Sequence, residues 1–426
     1  MTWDALIQAL PSLAAALSLI LMGLCGVQLL ARLTRVLRGQ EEVDGLPKNQ
    51  PRRFAPLSSL LAVAGVALLS RVAVYLLGYA WYRGLGIGAD SFADSFMPLW
   101  CHWDVNHYLN IARDGYVATG DERLRLVFFP LYPLLMRLLA PVTGGDVFLA
   151  GTLISLLCAA LSAALVYDLA YMHFGGHTAS LSVAYFLLNP MSVFLCCVYT
   201  EALFLCLTLG AVCLSRRGRP WLAALCGMLS ALTRMPGVIL AGIAILSMLG
   251  RIGKKTLTVR AAASCAGQVL LVFAGLFLYW GINFAVTGDP LMYMTYQREN
   301  WYQEPGTFWQ STANTMYYFL HTRGDGDWFY TWGFQLFCMA CIYVLLAFGQ
   351  KRLPFDLAAY SFVYVAVVLA PTWLLSGARY LYALCALPLL QARMFRRTGT
   401  HVLALSLSAV LLAVFVFGYT IAVEVL

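Results

Sequence analysis

Apolar stretches of about 20 residues recur along this chain from one end to the other. A helix needs about 20 consecutive apolar residues to cross a bilayer, and it satisfies its own backbone hydrogen bonds there without water. Hydrophobic residues make up 61% of the 426 residues, and the mean hydropathy is +0.75. The pattern therefore predicts an all-α polytopic membrane protein, with no segment polar and long enough to form a separate soluble domain.

We expect about 12 spans, some of them short or broken. They fall at about residues 5–31, 57–81, 147–172, 177–195, 198–215, 220–233, 236–250, 263–286, 329–349, 355–375, 379–395 and 401–423. Asn189-Pro190 and Met235-Pro236-Gly237 interrupt the middle of the chain. Pro and Gly at such positions predict half-helices or re-entrant turns, which a membrane protein tolerates only where they line a cavity.

The first stretch is too long for a signal-peptide core and has no basic residue before it. It is therefore predicted to be retained, as an extra transmembrane helix within residues 1–40, and residues 57–426 are predicted to form the main transmembrane domain. Most of the twelve cysteines lie inside apolar spans, and their spacing shows neither a disulfide framework nor a CxxC metal pattern.

Most of the Lys and Arg residues lie in five alternate loops of the predicted topology. By the positive-inside rule, that side is cytoplasmic. The net charge of +8 thus comes from basic residues that flank the membrane helices, and no nucleic-acid partner is expected. The carboxylates collect on the other side, in loops 82–146 and 287–328, and both termini are expected there too. The basic residues are Arg32, Arg35, Arg38, Lys48, Arg52, Arg53, Arg216, Arg217, Arg219, Arg251, Lys254, Lys255, Arg260, Lys351, Arg352, Arg393, Arg396 and Arg397.

The two outer loops are more than hydrophilic connectors. Residues 98–140 contain amphipathic helical stretches, and residues 291–309 are dense in Met, Tyr and Trp. Trp and Tyr of this kind settle at the headgroup level of a membrane. The outer loops are therefore predicted to lie in the membrane interface, where a lipid-linked substrate would be found.

Asp104 stands out in the first outer loop, within Trp103-Asp104-Val105-Asn106-His107-Tyr108. On a helix, Asp104, His107 and Tyr108 would share one face. Asp is a common N-cap residue, so capping is one interpretation of Asp104. The second is a catalytic base, which must be charged and within reach of the proton that it takes. The two roles are compatible, because a helix N-terminus also favours the ionised carboxylate.

The same stretch resembles the signature of the PIG-V family, the GPI mannosyltransferase II group and its bacterial relatives. The resemblance continues in order over about residues 57–395, and the first helix looks like an addition to the family core. Further similar blocks lie at residues 128–133, 189–194, 199–204, 233–237 and 376–380. Where a basic residue is common before the Trp-Asp pair in the family, this chain has His102, so different contacts near the acceptor are expected.

The resemblance implies a GT-C fold, with residues 57–426 as its transmembrane catalytic domain and both outer loops on the active-site side. It implies transfer of a sugar, mannose by analogy, from a polyprenyl-phosphate donor to an acceptor hydroxyl on the non-cytoplasmic side. The linkage would invert, and Asp104 would be the base. The absence of a glycine-rich phosphate loop fits a donor that is already attached to lipid.

Arginine suits a phosphate diester because it offers bidentate donors and a fixed charge. Arg379 and Arg234 are the candidates for the donor phosphate, and interfacial snorkelling is the alternative. Arg71 lies deeper in its span and is expected to have a structural partner. Glu201 could orient a substrate hydroxyl or pair with Arg234.

The other substrate-binding candidates are His102, Trp103, His107, Tyr108 and Tyr380. His102, Asp104 and Asp114 make a divalent metal conceivable, but an Asp and a His three residues apart do not by themselves form a site, so no metal ligand is predicted.

The expected partners are the lipid bilayer, a polyprenyl-phosphate sugar, and a glycan, glycolipid or protein acceptor. A bacterial plasma membrane with the active site outside is the predicted location, with the endoplasmic reticulum as the eukaryotic alternative. Two other functions stay open: a transporter or flippase for lipid-linked sugars, and a non-catalytic subunit of a glycan-assembly complex. A transporter would place ionisable groups near the bilayer midplane.

Overall fold

The computed structural model describes residues 3–46, 54–87, 91–322 and 328–423, and every regular element in these ranges is helical. The described α-helices are, in chain order, α1 (Trp3–Leu37), α2 (Leu57–Gly84), α3 (Phe92–Trp100), α4 (Val105–Asp114), α5 (Leu131–Leu139), α6 (Val147–Phe174), α7 (Gly176–Leu188), α8 (Glu201–Arg216), α9 (Pro220–Ala231), α10 (Ala241–Gly253), α11 (Val259–Thr287), α12 (Met292–Trp301), α13 (Phe308–His321), α14 (Phe334–Gly349), α15 (Phe355–Val368), α16 (Gly377–Tyr382), α17 (Leu387–Met394) and α18 (Thr398–Thr420). A π-helical turn, Trp328–Gly333, precedes α14.

Seven described helices are long and apolar enough to cross a membrane. They are Ile7–Leu37, Leu57–Gly84, Val147–Phe174, Met235–Gly253, Val259–Thr287, Trp328–Arg352 and Thr398–Thr420. An eighth span results if the bent pair Asp121–Val127 and Leu131–Thr143, which turns by 105°, is counted. The all-α polytopic fold is thus confirmed, whereas the expected number of about 12 spans is not.

Several predicted spans are shorter helices buried within the protein. The predicted spans 177–195 and 198–215 contain α7 and α8, and residues 190–205, which include the first turn of α8, are buried throughout. Asn189 ends α7 because the residue before a proline disfavours the helical conformation. Its side chain accepts a hydrogen bond from the amide of Met191. Helices that pack on protein on all sides do not need the length of a bilayer.

Arg71 of α2 stabilises this break. It is buried, and its guanidinium donates to the carbonyl oxygens of Leu187 (2.8 Å) and Ser192 (2.5 Å). The polar partner that an arginine in an apolar span requires is therefore the unpaired backbone at the end of α7. As a result, the chain that follows α7 is fixed against α2.

A second break lies before α10. Residues Met235–Leu240 form a 3₁₀ turn that follows directly on Arg234, whose backbone is extended. At Gly237 a Cβ atom would clash with the backbone of Ser230 and Ala231, so only glycine lets the turn lie against α9. The two breaks place Glu201 and Arg234 at helix starts, where their side chains meet.

The basic loops gather at one end of the molecule, which we call the basic end. Lys254 pairs with Glu42, and Arg32 donates to the carbonyl oxygen of Leu353. Arg216 pairs with Asp356, and Arg352 donates to the carbonyl oxygen of Arg393. These contacts join the loops around 32–46, 216–219, 251–255, 350–353 and 393–397. Lys48, Arg52 and Arg53 lie outside the described residues.

Helix α8 links the basic end to the opposite end. It runs from Glu201 to Arg216, a length of about 24 Å at 1.5 Å per residue. Around it pack α6 and α9, and α6 also contacts α2 and α7. On another side of the molecule, α1 packs against α13 and α14. The end of α8 that begins at Glu201 faces the helices of the two predicted outer loops, among them α4 and α12.

Candidate active site

Asp104 occupies the N-cap position of α4, yet its carboxylate makes no capping hydrogen bond. The preceding residue, Trp103, has a positive φ of 49°, which turns the chain sharply before the helix. Asp104 therefore has the position of a capping residue but does not cap the helix through its side chain. The carboxylate is left free to face a cavity, and 27% of its side chain is exposed.

The partner of this carboxylate is Arg379 at the start of α16. Its Nη1 and Nη2 atoms both donate to Oδ2 of Asp104, at 3.4 and 3.3 Å. Nη2 also donates to the hydroxyl of Ser376 at 3.1 Å. Arg379 is almost fully buried, with 5% of its side chain exposed. A buried guanidinium needs such partners, because an unpaired charge away from water is strongly unfavourable.

Glu201 connects Arg379 to the second arginine. Its Oε1 atom lies 2.7 Å from Nη1 of Arg234 and 3.2 Å from Nε of Arg379. The side chain of Glu201 is 1% exposed, and its Oε2 atom has no hydrogen-bond partner. The expected pairing of Glu201 with Arg234 is thus present, and one buried carboxylate oxygen next to the cavity remains available.

Aromatic rings hold both guanidinium groups from the side. The guanidinium carbon of Arg379 lies 4.9 Å from the ring centre of Tyr199 and 5.2 Å from that of Phe194. The guanidinium carbon of Arg234 lies 4.5 Å from the ring centre of Tyr380. These distances are within the range of cation–π attraction, which strengthens when the cation is desolvated. The rings fix where the two positive charges lie.

These groups line a cavity of about 290 Å³. Its wall comes from six separate parts of the chain, and both predicted outer loops contribute to it. The lining residues are Asp104, Tyr108, Val127, Phe128, Phe129, Thr200, Glu201, Thr233, Arg234, Met235, Pro236, Gln297, Trp301, Gln303, Tyr364, Val367, Val368, Pro371, Leu375, Ser376, Arg379 and Tyr380. The cavity therefore has an ionic floor and walls made largely of apolar and aromatic side chains, as small-molecule sites usually do.

Of the predicted substrate-binding residues, Tyr108, Glu201 and Tyr380 line the cavity. His107 lies behind its wall, where the imidazole stacks on the ring of Phe128 with 4.6 Å between ring centres. Burial lowers the pKa of His107 below its ordinary value of 6.5, although the nearby Asp104 acts in the opposite direction. His107 is thus placed to support the cavity wall as a neutral ring.

His102 and Trp103 are not among the lining residues. Both rings pack against Tyr419 of α18, at 5.3 and 5.1 Å between ring centres. The Nε2 atom of His102 is buried and has no hydrogen-bond partner. Burial also lowers the pKa of His102. Both side chains therefore anchor the turn before Asp104 against α18.

Several lining residues carried no signal in the sequence. Gln297 and Gln303 lie in the aromatic-rich second outer loop, where the composition indicates only a membrane interface. Ser376 comes from a block that the resemblance singles out, but nothing in its sequence indicates a bond to Arg379. Tyr364 lies in the middle of an apolar span. The tertiary fold brings these side chains to the same cavity as Asp104 and Tyr108.

Within the described ranges, no three His, Cys, Asp or Glu side chains come together as metal ligands. Asp114, which the sequence places near Asp104, instead lies 3.6 Å from Nη1 of Arg125 on the protein surface.

Two carboxylates and two guanidinium groups give the site no net formal charge. Its one partly exposed carboxylate can accept a proton from a hydroxyl within reach. Its arginines offer donors that suit phosphate oxygens. The arrangement thus brings a partly exposed carboxylate and two arginines together at one cavity.

The comparisons with known proteins agree with this chemistry. Residues 87–323, more than half of the chain, match the family model described as mannosyltransferase (PIG-V). The GPI alpha-1,6-mannosyltransferase 2 of Mus musculus is 31% identical over 164 residues, which are 36% of this chain and 32% of the relative. The Homo sapiens protein of the same name is 29% identical over 163 residues, with the same coverage.

The matched part of the chain thus spans about a third of the length of these curated relatives. No solved structure matches the chain. The matched residues 87–323 include Asp104, Glu201 and Arg234, and they exclude Arg379 and Tyr380. On the strength of the family model, this chain belongs to the mannosyltransferase (PIG-V) family.

Proposed function

We propose that this protein is a membrane mannosyltransferase that transfers mannose from a polyprenyl-phosphate donor to an acceptor hydroxyl. Asp104 acts as the base, and the anomeric carbon inverts. The observation that carries the proposal is the position of Asp104, whose carboxylate faces a largely apolar cavity and whose partner is a buried arginine. Family membership supports the sugar and the reaction type.

In the proposed reaction, the acceptor oxygen attacks the anomeric carbon while its proton passes to Asp104. The bond between that carbon and the phosphate oxygen breaks, and the lipid phosphate leaves with a second negative charge. The charge of the site changes at the same time as the charge of the substrate. Protonation of Asp104 weakens its ion pair with Arg379 and leaves an excess positive charge where the phosphate gains a negative one. Such stabilisation of developing charge in a site shielded from water is usually a large part of catalysis.

The two arginines have different duties in this proposal. Arg379 is engaged on three sides, by Asp104, Ser376 and Glu201. Arg234 is the more exposed of the two, with 15% of its side chain accessible against 5% for Arg379. Arg234 therefore binds the donor phosphate first, and Arg379 contributes as Asp104 becomes neutral. The unpaired Oε2 atom of Glu201 is the acceptor that we assign to a sugar hydroxyl.

We further propose that the cavity opens on the non-cytoplasmic side of the membrane. The loops rich in Lys and Arg lie at the other end of α8, and the positive-inside rule places such loops in the cytoplasm. A bacterial plasma membrane is the location that we infer. The name of the matched relatives includes GPI, a glycolipid, which supports a glycolipid as the acceptor over a free glycan or a protein.

The test is a transfer assay on purified protein in detergent or nanodiscs. Polyprenyl-phosphate mannose is supplied with a mixture of glycolipid acceptors, and the released polyprenyl phosphate is followed by mass spectrometry. Asp104→Asn should reduce the rate of release by about 10²–10⁴-fold, the usual contribution of a positioned base. The matched control is Asp114→Asn on the same helix, which should stay within about twofold of the parent chain.

A folded Asp104→Asn variant that retains full transfer would remove Asp104 from the mechanism. If neither this donor nor any other polyprenyl-phosphate sugar is consumed, with any acceptor, the transferase proposal fails and transport of lipid-linked sugars becomes the better explanation.

A further inference from the structure

A second cavity lies at the basic end, away from the site of Asp104. It has a volume of about 580 Å³ and opens between the start of α7, the end of α14, and the junction of α17 with α18. Four cationic residues line it: Lys351, Arg352, Arg393 and Arg396. No carboxylate is among its described lining residues. We call this cavity the basic cleft.

The cations of the basic cleft differ from their neighbours at the same end. Arg216, Arg217 and Lys254 each form an ion pair with a carboxylate. Arg32 does so as well. Within the described part of the chain, none of the four cleft cations forms such a pair. Four like charges around one opening repel one another, so the cleft gains stability from an anion that enters it.

Described contacts hold two of the cleft cations, Arg352 and Arg393, in place. Nη1 of Arg352 donates to the carbonyl oxygens of Arg393 and Met394, which ties the end of α14 to the end of α17. The guanidinium carbon of Arg393 lies 4.8 Å from the ring centre of Phe174. Two of the four positive charges are therefore held at the cleft by the fold, whereas Lys351 and Arg396 are exposed.

A histidine and two helix starts complete the lining. His401 is 6% exposed, and its Nδ1 atom lies 2.9 Å from the hydroxyl of Tyr185. When Tyr185 donates to Nδ1, the imidazole carries its proton on Nε2, which leaves a donor for the cleft. The helices α7 and α18 also begin at the cleft, with no side-chain cap and no acidic residue in the first turn. Free backbone amides at helix starts favour anions.

The surroundings of the cleft indicate that its anion is part of a lipid. Helix α18 begins at this end and is long and apolar enough to cross a membrane, and its first turns expose large apolar side chains. Val402 lies one turn beyond Thr398 of the cleft and is 59% exposed, and Leu403 is 71% exposed. An acyl chain can lie along this surface while its phosphate enters the cleft. A soluble anion would make no use of it.

We propose that the basic cleft binds the phosphate group of an anionic phospholipid from the leaflet at the basic end. A phosphate diester carries one negative charge and several acceptor oxygens, which matches a lining of cations and neutral donors. Basic pockets between transmembrane helices are known to suit such headgroups. The site is separate from that of Asp104, so this inference does not depend on the proposed sugar transfer.

The test measures lipid binding by native mass spectrometry on the full chain in a neutral detergent. The probe is phosphatidylglycerol, with phosphatidylcholine as the zwitterionic comparison. The cleft variant is Lys351→Gln with Arg396→Gln, because both side chains are exposed and make no described contact that the fold requires. The matched control is Arg251→Gln with Arg260→Gln, two exposed residues at the same end that do not line the cleft.

We expect the cleft variant to bind phosphatidylglycerol about tenfold or more weakly, since each basic residue near a surface contributes measurably to anionic-lipid binding. The control should change by less than about threefold, and phosphatidylcholine should bind weakly to all of them. Equal losses in the cleft and control variants would overturn the proposal, because the attraction would then be a diffuse property of the basic end.

Two further results would also overturn it. One is equal binding of phosphatidylcholine and phosphatidylglycerol to the parent chain. The other is displacement of phosphatidylglycerol by inorganic phosphate at a similar concentration, since the acyl chain would then contribute nothing.

Discussion

Oδ2 of Asp104 lies 3.3 Å from Nη2 of Arg379, although 275 residues separate the two in the chain. This ion pair joins the first predicted outer loop to the short helix α16. It orients the carboxylate in the cavity without removing it from solvent, since part of Asp104 stays exposed. The fold thus holds a proposed base ready for use, and the following variants examine how much each neighbour contributes.

Glu201→Gln should destabilise the protein strongly. Its carboxylate lies between two guanidinium groups, and an amide would leave Arg234 without a carboxylate partner and Arg379 with Asp104 alone. Breaking a buried ion pair by removing one partner costs about 3–5 kcal/mol. The measurement is the free energy of unfolding in detergent. Asp104→Asn is the comparison and should cost about 1 kcal/mol or less, because that pair is partly solvated. Similar losses in both variants would contradict the difference in burial.

Arg234→Lys should weaken donor binding while the protein stays folded. Lysine keeps the charge but loses the planar donors and the stacking on Tyr380. We expect the KM for polyprenyl-phosphate mannose to rise about tenfold, equivalent to roughly 1.4 kcal/mol, with a smaller change in kcat. Arg113→Lys, an exposed change on α4, is the control. An unchanged KM in Arg234→Lys would assign the phosphate to another group.

Acidification should destabilise the protein through His102 and His107. Burial lowers the pKa of both imidazoles below the ordinary value of 6.5, so the unfolded chain takes up protons at a higher pH than the folded one. The two neutral imidazoles therefore make their full contribution to the free energy of unfolding above about pH 6.5. This contribution is lost as the pH falls towards and through the lower pKa values that the two histidines have in the folded protein. Melting temperatures measured between pH 8 and pH 5 should show this decline.

A variant with His102→Gln and His107→Gln should show a shallower decline over the same pH range, even if it melts earlier throughout. A slope identical to that of the parent chain would mean that other groups cause the acid sensitivity.

Gly237→Ala should be harmful, and Gly242→Ala should not. A Cβ atom at Gly237 would clash with the backbone of Ser230 and Ala231, whereas nothing lies within 4 Å of one at Gly242. Forced overpacking costs about 1–3 kcal/mol. The clash would also move the extended segment at Arg234. We therefore expect Gly237→Ala to lower both the melting temperature and the transfer rate. Equal behaviour of the two variants would show that the turn can relax.

The sequence was most informative where chemistry restricts the choices. Charged side chains in an apolar chain must find partners, and this argument correctly predicted polar contacts for Arg71 and an ion pair between Glu201 and Arg234. Proline and glycine marked the two helix breaks beside the cavity. The resemblance to the PIG-V family was confirmed over residues 87–323.

Helical spacing was less reliable for single side chains. It placed Asp104, His107 and Tyr108 on one face, yet only Asp104 and Tyr108 line the cavity. Successive residues turn by about 100°, so positions three and four residues away lie on opposite flanks of that face. The flank that carries Tyr108 faces the cavity, whereas His107 on the other flank stacks on Phe128.

Neither the number of spans nor the partner of Arg379 could be predicted from the sequence, because both depend on tertiary packing. A buried helix of 10–16 residues has the composition of a span but not its length, and hydropathy does not separate the two. The contact between Asp104 and Arg379 depends on how α4 and α16 are placed by the helices between them. No local pattern records such a placement.

The cavity wall also bears on how the chain could be divided. The stretch that matches the family model ends at residue 323, yet Ser376, Arg379 and Tyr380 complete the site from beyond it. A polypeptide that stopped at residue 323 would leave Asp104 without its cation and Glu201 with only Arg234. Such a fragment would carry the family signature without the complete cavity. Expression of the chain as two pieces would restore the cavity only if the remaining helices inserted beside the first piece.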